Sequence, residues 1–444
     1  MDGHEVWQLQ GADPAAPYIL PVRAASSGNA GDLRRQRAFW VDRETIAWPV
    51  ADDPGLTYTL HYAANGGLTA SSTGITGGAS VVLTQGALSD EVKAKFPQLA
   101  ALPALKLPAG TLAMVPEMLR GQVAVSAVDP DGKSVDATGL QIPGALDDLY
   151  DYTGALGVAM EGGAPVMRVW APTAKSVTFH LFADADPATV SATYPMTSDP
   201  DTGVWRIDGT ADWLGQYYLF EVEVFVPATG TVEHNLVTDP YSLSLATNSS
   251  RSQVVDLDDP ALKPAGWGSL AKPPLAAPEK IAIYELHVRD FSANDASVPD
   301  GYKGTYKAFT LDGSNGMLHL GALAASGLTH VHLLPVFDIA TVDENKANWQ
   351  APDPAVLETY APDSDQQQAA VAATADLDGF NWGYDPWHYT TPEGSYATDP
   401  AGAVRVREFR EMVQGLNDMG LRVVMDVVYN HTNAAGQNEK SVLD

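Results

Sequence analysis

Hydrophobic and polar residues change rhythm along the chain. In residues 38–48 (AFWVDRETIAW), 56–62 (LTYTLHY) and 121–128 (GQVAVSAV), aromatic and β-branched positions interleave with polar ones in short runs, the pattern of strands. Between them lie Gly/Ser/Thr stretches such as 66–80. A short helix is predicted over 89–96, where Ser89 can cap and Glu91 sits in the first turn. From about residue 147 the alternation sharpens. Residues 166–170 and 176–182 are joined by Ala-Pro-Thr, and 204–207 and 217–226 follow an Asp-Pro-Asp-Thr-Gly turn. Strands at this spacing predict an antiparallel, immunoglobulin-like β-sandwich.

Residues 260–279 contain five prolines and read as a semi-rigid connector. Beyond it strands and helices alternate. Strands are predicted at 280–288 (KIAIYELHV), 328–337 (LTHVHLLPVF) and 421–429 (LRVVMDVVY). Helices are predicted at 317–326, closed by Gly327, and 403–419, closed by Gly420. In the second helix Val404, Phe409, Met412, Val413 and Leu416 form the apolar face. Strand, helix, strand, a mostly loop segment of about 60 residues, helix, strand is the opening of an α/β barrel or of a doubly wound sheet. The expected organisation is multidomain: β-rich 1–145, sandwich 146–260, linker 261–279, and 280–444 as the first three strands of a TIM-type barrel. A closed barrel needs five further strands. Without them an open edge and an uncovered apolar face are expected.

Composition narrows the chemistry. The 444 residues carry a net charge of −29, which argues against nucleic acid or an anionic membrane surface as partner and leaves a neutral polysaccharide unaffected. Cysteine is absent, excluding disulfides and thiol nucleophiles. There is no run of about 20 apolar residues. Met1 is followed by Asp2, His4 and Glu5 rather than by a signal segment, and the compartment stays open. A monomer is expected.

The most concentrated chemistry lies in 380–400 (FNWGYDPWHYTTPEGSYATDP), which is too polar and too broken by proline for a helix or central strand. Its aromatics Phe380, Trp382, Tyr384, Trp387, Tyr389 and Tyr396 suit a weakly charged ligand with apolar ring faces, a sugar. Asp426, Asn430 and His431 lie at and beyond the end of the third predicted strand, the catalytic face of a barrel. Asp426, set among Val424, Met425, Val427 and Val428, is expected to be buried and paired with an arginine or a backbone donor. On spacing alone these three read more readily as a structural acid and a loop-capping pair than as a functional set. Glu285 and His287 share a strand face and read as an interior acid and a satisfied core histidine; His330 and His332 share another. No ligand spacing points to a metal. The acidic turns Asp199–Asp201 and Asp376–Asp378 lack the EF-hand register, and no cofactor is expected; a structural calcium ion is not derivable.

FNWGYDP at Phe380–Pro386 resembles the YNWGYDP signature of type I pullulanases and plant limit dextrinases, in glycoside hydrolase family 13 of the α-amylase superfamily. The one departure, Phe380 for Tyr, removes a hydroxyl. DVVYNH at Asp426–His431 is similar to that family's first conserved region, and YELHVRDFS at Tyr284–Ser292 to its first barrel strand. FWVDRETIAWP at 39–49 resembles the N-terminal pullulanase domain, and MRVWAPTAKSVTFHLF at 167–182 the family 48 carbohydrate-binding module. The resemblance implies retaining hydrolysis of α-1,6-glucosidic branch points in pullulan, amylopectin limit dextrin or glycogen. It implies that Tyr384 stacks on the sugar whose bond is cut, His431 hydrogen-bonds it, Asp426 supports the site, Asn430 fixes the loop, and Trp382 and Asp385 shape the pocket. It places the nucleophilic Asp and acid/base Glu beyond Asp444, so no catalytic residue is expected in this chain and the chain alone is expected to be inactive. Two alternatives are an isoamylase-type debranching or branching enzyme, where GYN or GYQ is usual in place of GYD, and a non-catalytic α-glucan-binding protein. For the latter, Trp170, Trp205 and Trp213 are the candidate platform.

Overall fold

The computed structural model describes residues 29–441. Met1, Asp2, His4 and Glu5 lie outside that range, as does the start of the first expected domain. The N-terminal β-rich unit is an eight-stranded sheet in which Asp32–Asp42 lies between Ser134–Gln141 and Thr45–Ala47. The strand expected over 38–48 is therefore two strands turning at Arg43-Glu44. Trp40, Ile46, Trp48, Leu60 and Leu105 fill one core. The predicted helix forms as Asp90–Lys95, with Ser89 Oγ accepting from the Val92 N–H at 3.1 Å.

The second β-rich unit has two sheets, Gly157–Glu161, Ala164–Trp170, Val204–Asp208, Thr197–Ser198 and Ala192–Pro195, Ser176–Phe182, Tyr217–Val226, Thr231–Val237. Met167 and Val169 from the first share a core with Phe179, Tyr218 and Phe220 from the second. Two of the candidate platform tryptophans belong to that core. Trp205 sits opposite inward-facing Val169 in the ladder, and Trp213 stacks on Phe179 at 5.3 Å. Trp205 is turned inward by strand alternation and Trp213 by the short 3-10 turn Ala211–Trp213, so the expected platform reduces to Trp170, which is partly exposed and donates from Nε1 to the Thr202 carbonyl at 3.0 Å.

The proline-rich connector does not stand free. Arg410 Nη1 donates to the carbonyls of Leu257 and Leu262, and Gln414 Nε2 to that of Ala265, laying the connector along the helix Val404–Asp418. That helix and Asn315–Ala325 are the crossovers of a three-stranded parallel sheet, ordered Ile283–Leu286, His330–Leu333, Arg422–Met425. Met317, Leu320, Met412, Leu416 and the inner strand's Val331 and Leu333 share its core. The strands are four residues each, shorter than expected. The second ends at Leu333; after Pro335 the chain turns away and Phe337–Ile339 pairs antiparallel with Pro386–Pro392. The aromatic stretch thus contains a strand, in a two-stranded ribbon with proline at both of its ends. The outer strands leave Ile283, Tyr284, Val424 and Met425 exposed. No helix among the described residues is long and apolar enough to cross a membrane.

Candidate sugar site

Asn381, Trp382, Gly383 and Tyr384 form a turn preceding the strand Pro386–Pro392. Gly383 has φ +89° and lies where a Cβ would meet Pro335 Cβ at 2.8 Å, so the turn requires glycine on both counts. The Asn381 side chain caps it, accepting from the Gly383 N–H at 2.8 Å and donating to Thr341 Oγ1 at 2.7 Å. Asp385 is held twice, its carbonyl by the Ala340 N–H at 2.9 Å and its carboxylate by Thr341 Oγ1 at 2.7 Å. Asp385 and Asn381 therefore build the turn, while Trp382 and Tyr384 project from it, 59% and 38% exposed.

The third parallel strand meets this turn. The Tyr384 hydroxyl donates to Asp426 Oδ2 at 2.7 Å. Asp426 is half-buried, not buried, and its partner is a phenol rather than an arginine. The strand has ended at Met425, lies at a sheet edge, and its neighbours Val424, Met425 and Val427 are exposed. The Asp426 bond, burial and the charges of Asp426 and Glu285 together push the Tyr384 phenol up to about 12, so it remains a donor at neutral pH.

His431 closes the triangle differently from expectation. Its Nε2 lies 2.8 Å from the Tyr384 carbonyl, to which it donates, and its Nδ1 is 3.1 Å from the Asn430 amide. Both ring nitrogens are engaged within the protein, so a sugar hydroxyl reaches the ring only by displacing one of these partners. Tyr389 Oη donates to the His431 carbonyl at 2.9 Å, and Asn430 serves as the bracket of the imidazole. All six predicted residues thus fall in one neighbourhood. Tyr384, Asp426, His431 and Asn430 are directly linked, Asp385 supports the turn, and Trp382, without a polar partner among the described residues, stands exposed beside them.

Glu285 was under-read from the sequence. It is exposed rather than interior, pairs with His332 Nδ1 at 3.5 Å, and lies in register with His332 and Val424, acting on Tyr384 through its charge. Strand register could have found it, since Glu285, His332 and Asp426 alternate onto one face. His287 is a satisfied core histidine: Nε2 donates toward the Asn381 carbonyl at 2.7 Å, with Tyr396 Oη at 3.0 Å.

Behind the turn lies a buried charge cluster that the sequence did not signal. Asp338, Glu344 and Glu393 converge closely enough to suggest a metal site, yet the fully buried Arg405 already pairs with two of them. Its guanidinium grips Glu344 at 2.8 and 2.9 Å and approaches Asp338 at 3.6 Å, which supplies the cation internally. Burial resists the charge on Asp338, but the hydrogen bond to His388 and the nearby Arg405 hold its carboxyl below the usual range. Glu393 goes the other way: burial, then the charges of Glu344 and Asp338, push it up to about 8.

Comparison with known proteins bears on the same segments. Residues 35–148 match the pullulanase N2 domain, and residues 155–242 match carbohydrate-binding module 48 (isoamylase N-terminal domain). The chain is 39% identical over 436 residues to pullulanase 1, chloroplastic, of Arabidopsis thaliana, covering 97% of this chain and 45% of that protein. It is 40% identical over 467 residues to a pullulanase of Klebsiella pneumoniae, covering 96% of this chain and 42% of that protein. The structure of Klebsiella pneumoniae pullulanase complexed with maltotriose superposes with a TM-score of 0.87 at 40% identity, covering 94% of this chain and 43% of that one. Matches of this extent favour pullulanase over the isoamylase, branching-enzyme and binding-only readings. The chain is a homologue of the pullulanases along nearly its whole length, and it spans less than half the length of the curated relatives it matches.

Proposed function

We propose that this chain supplies the N-terminal part of an α-1,6-glucan debranching enzyme of the pullulanase type, acting as a monomer on pullulan, amylopectin limit dextrin or glycogen. In this reading residues 1–145 are the N-terminal β-rich domain, 146–260 an immunoglobulin-like carbohydrate-binding sandwich, 261–279 the linker, and 280–444 the opening of a TIM-type barrel. The three parallel strands, their helical crossovers and the placement of the site beyond the strands' C-terminal ends support the barrel.

The observation that carries the reading is the 2.7 Å bond between Tyr384, on the aromatic turn, and Asp426, at the end of the third strand. It fixes an aromatic face beside a carboxylate, an arrangement that can hold a glucose ring and favour positive charge developing at its anomeric carbon. In a retaining mechanism one carboxylate attacks that carbon while a second, about 5 Å away, protonates the leaving oxygen. Tyr384 and Asp426 are support for that pair; the nucleophile and acid/base belong to strands following residue 444. The chain alone binds maltotriose and does not turn over pullulan. Calorimetric titration of the 444-residue chain with maltotriose, run beside a reducing-end assay on pullulan, checks both. A flat titration or measurable hydrolysis would count against the assignment.

A further inference from the structure

We infer that the sandwich has a second role besides any glycan binding of its own: it is the template that positions Tyr384 and His431. The inference rests on the sugar-site reading only for what those two residues do. The positioning itself rests on contacts that are independent of any ligand.

The strand Pro386–Pro392 is the link. Its His388 is completely buried, with Nδ1 donating to Asp338 Oδ2 at 2.6 Å and Nε2 at 2.7 Å from Thr238 Oγ1. With Nδ1–H committed to the carboxylate, a neutral ring accepts from the Thr238 hydroxyl through Nε2. Thr238 immediately follows the last long strand of the sandwich, Thr231–Val237. Asp338 is tied back to the sandwich again, its Oδ1 accepting from Ser249 Oγ at 2.7 Å. The strand Pro386–Pro392 is itself held again, because Thr390 and Thr391 both donate to the Ser242 carbonyl, at 2.7 and 2.6 Å. Nearby, Asn248 and Glu344 exchange two hydrogen bonds at 2.6 and 2.7 Å, and Asn248 takes a positive φ of 55° to do so.

These ties lead directly to the sugar-facing groups. Asp338 and His388 are opposite each other in the ribbon, and the next step of the ladder pairs Ile339 with Pro386 and Ala340 with the Asp385 carbonyl. Tyr384 is the adjacent residue. From the other face of the strand, Tyr389 Oη holds the His431 carbonyl and the Pro386 carbonyl accepts from the Asn433 N–H at 3.1 Å. Both sugar-facing residues are therefore referenced to one strand, and that strand is referenced to the sandwich. A buried polar network of this kind contributes less to net stability than an apolar contact of the same size would, but it tolerates only one register.

The test uses the 444-residue chain with 3-fluorotyrosine incorporated, the Tyr384 19F resonance being assigned by its loss in Y384F. Thr238→Val removes the hydroxyl at nearly constant volume and should shift or broaden the Tyr384 resonance, leave that of Tyr58 unchanged, and weaken maltotriose binding about 3- to 10-fold. Thr238→Ser should restore both. Ser176→Ala removes a hydroxyl elsewhere in the sandwich, one that bonds Glu223, and should move neither. Should T238V fail to fold, Ser249→Ala tests the second tie with the same readouts. An unmoved Tyr384 resonance in both T238V and S249A overturns the inference. A moved resonance in a chain that binds no maltotriose upholds the positioning and overturns the sugar-site reading alone.

Discussion

At the residue scale, two groups are set by their surroundings in ways that solution measurements can read. Tyr384 combines an exposed ring with a hydroxyl committed to Asp426. Tyr384→Phe keeps the stacking face and loses one charge-assisted bond, while Tyr384→Ala loses both. The expected order of maltotriose affinity is wild type, then Y384F weaker by about 3- to 10-fold, then Y384A weaker by about 10- to 100-fold, measured by calorimetry. Glu393 is the second group. The folded carboxyl keeps its proton to about pH 8, whereas the unfolded side chain loses it near the ordinary value of 4.5. Between those limits the unfolded chain releases a proton that the folded chain retains, so this residue's contribution falls as pH rises, by at most about 1.4 kcal/mol per pH unit. Thermal melts of wild type and Glu393→Gln from pH 5 to pH 8 should show wild type losing ground relative to the variant. A constant difference across that range would show that Glu393 titrates normally.

At the scale of elements, periodicity found most of the pieces and misjudged their ends. The helix Val404–Asp418 was legible because its apolar residues recur at helical spacing and Gly420 follows. The parallel strands were located but drawn too long, because apolar residues continue past the point where pairing stops: Val427 and Val428 follow Met425 without joining the ladder. The ribbon Phe337–Ile339 with Pro386–Pro392 was hidden because proline at its margins argues against a strand, and only the long-range pairing rescues it. The six candidate site residues were singled out through their motifs, and the fold gathers them into one neighbourhood. Their wiring was not legible, since Tyr384 and Asp426 are 42 positions apart and nothing local links them. The charge cluster escaped for the same reason: Asp338, Glu344, Glu393 and Arg405 come from four elements or their connections. Gly394 shows how tightly they close. A Cβ there would lie 2.1 Å from Glu344 Oε1 and 2.5 Å from Arg405 Nη2. Gly394→Ala should therefore cost about 2–4 kcal/mol in chemical denaturation, through a strained buried ion pair. A cost below about 0.5 kcal/mol would mean that the cluster yields easily.

At the scale of the whole molecule, the two β-rich units have closed cores, whereas the parallel sheet exposes Ile283 at 58% and Met425 at 44% on its outer strands. Exposed apolar strands with unpaired edges bind hydrophobic dyes and invite association. Limited proteolysis of the 444-residue chain should cut within 280–444 before it cuts the β-rich units, and survival of 280–444 would contradict this view of the sheet. The sandwich contacts described above work in the opposite direction, since they anchor the aromatic turn to the better-packed part of the molecule.

The most direct measurement is hydrolysis of pullulan by a protein extended through the further strands that the proposed barrel would need, compared with its Tyr384→Ala variant. The account predicts release of maltotriose by the extended protein and a fall in kcat/KM of about 100-fold or more in the variant, equivalent to about 2.7 kcal/mol of transition-state stabilisation. Failure to cleave pullulan, or equal rates for the two proteins, would contradict it.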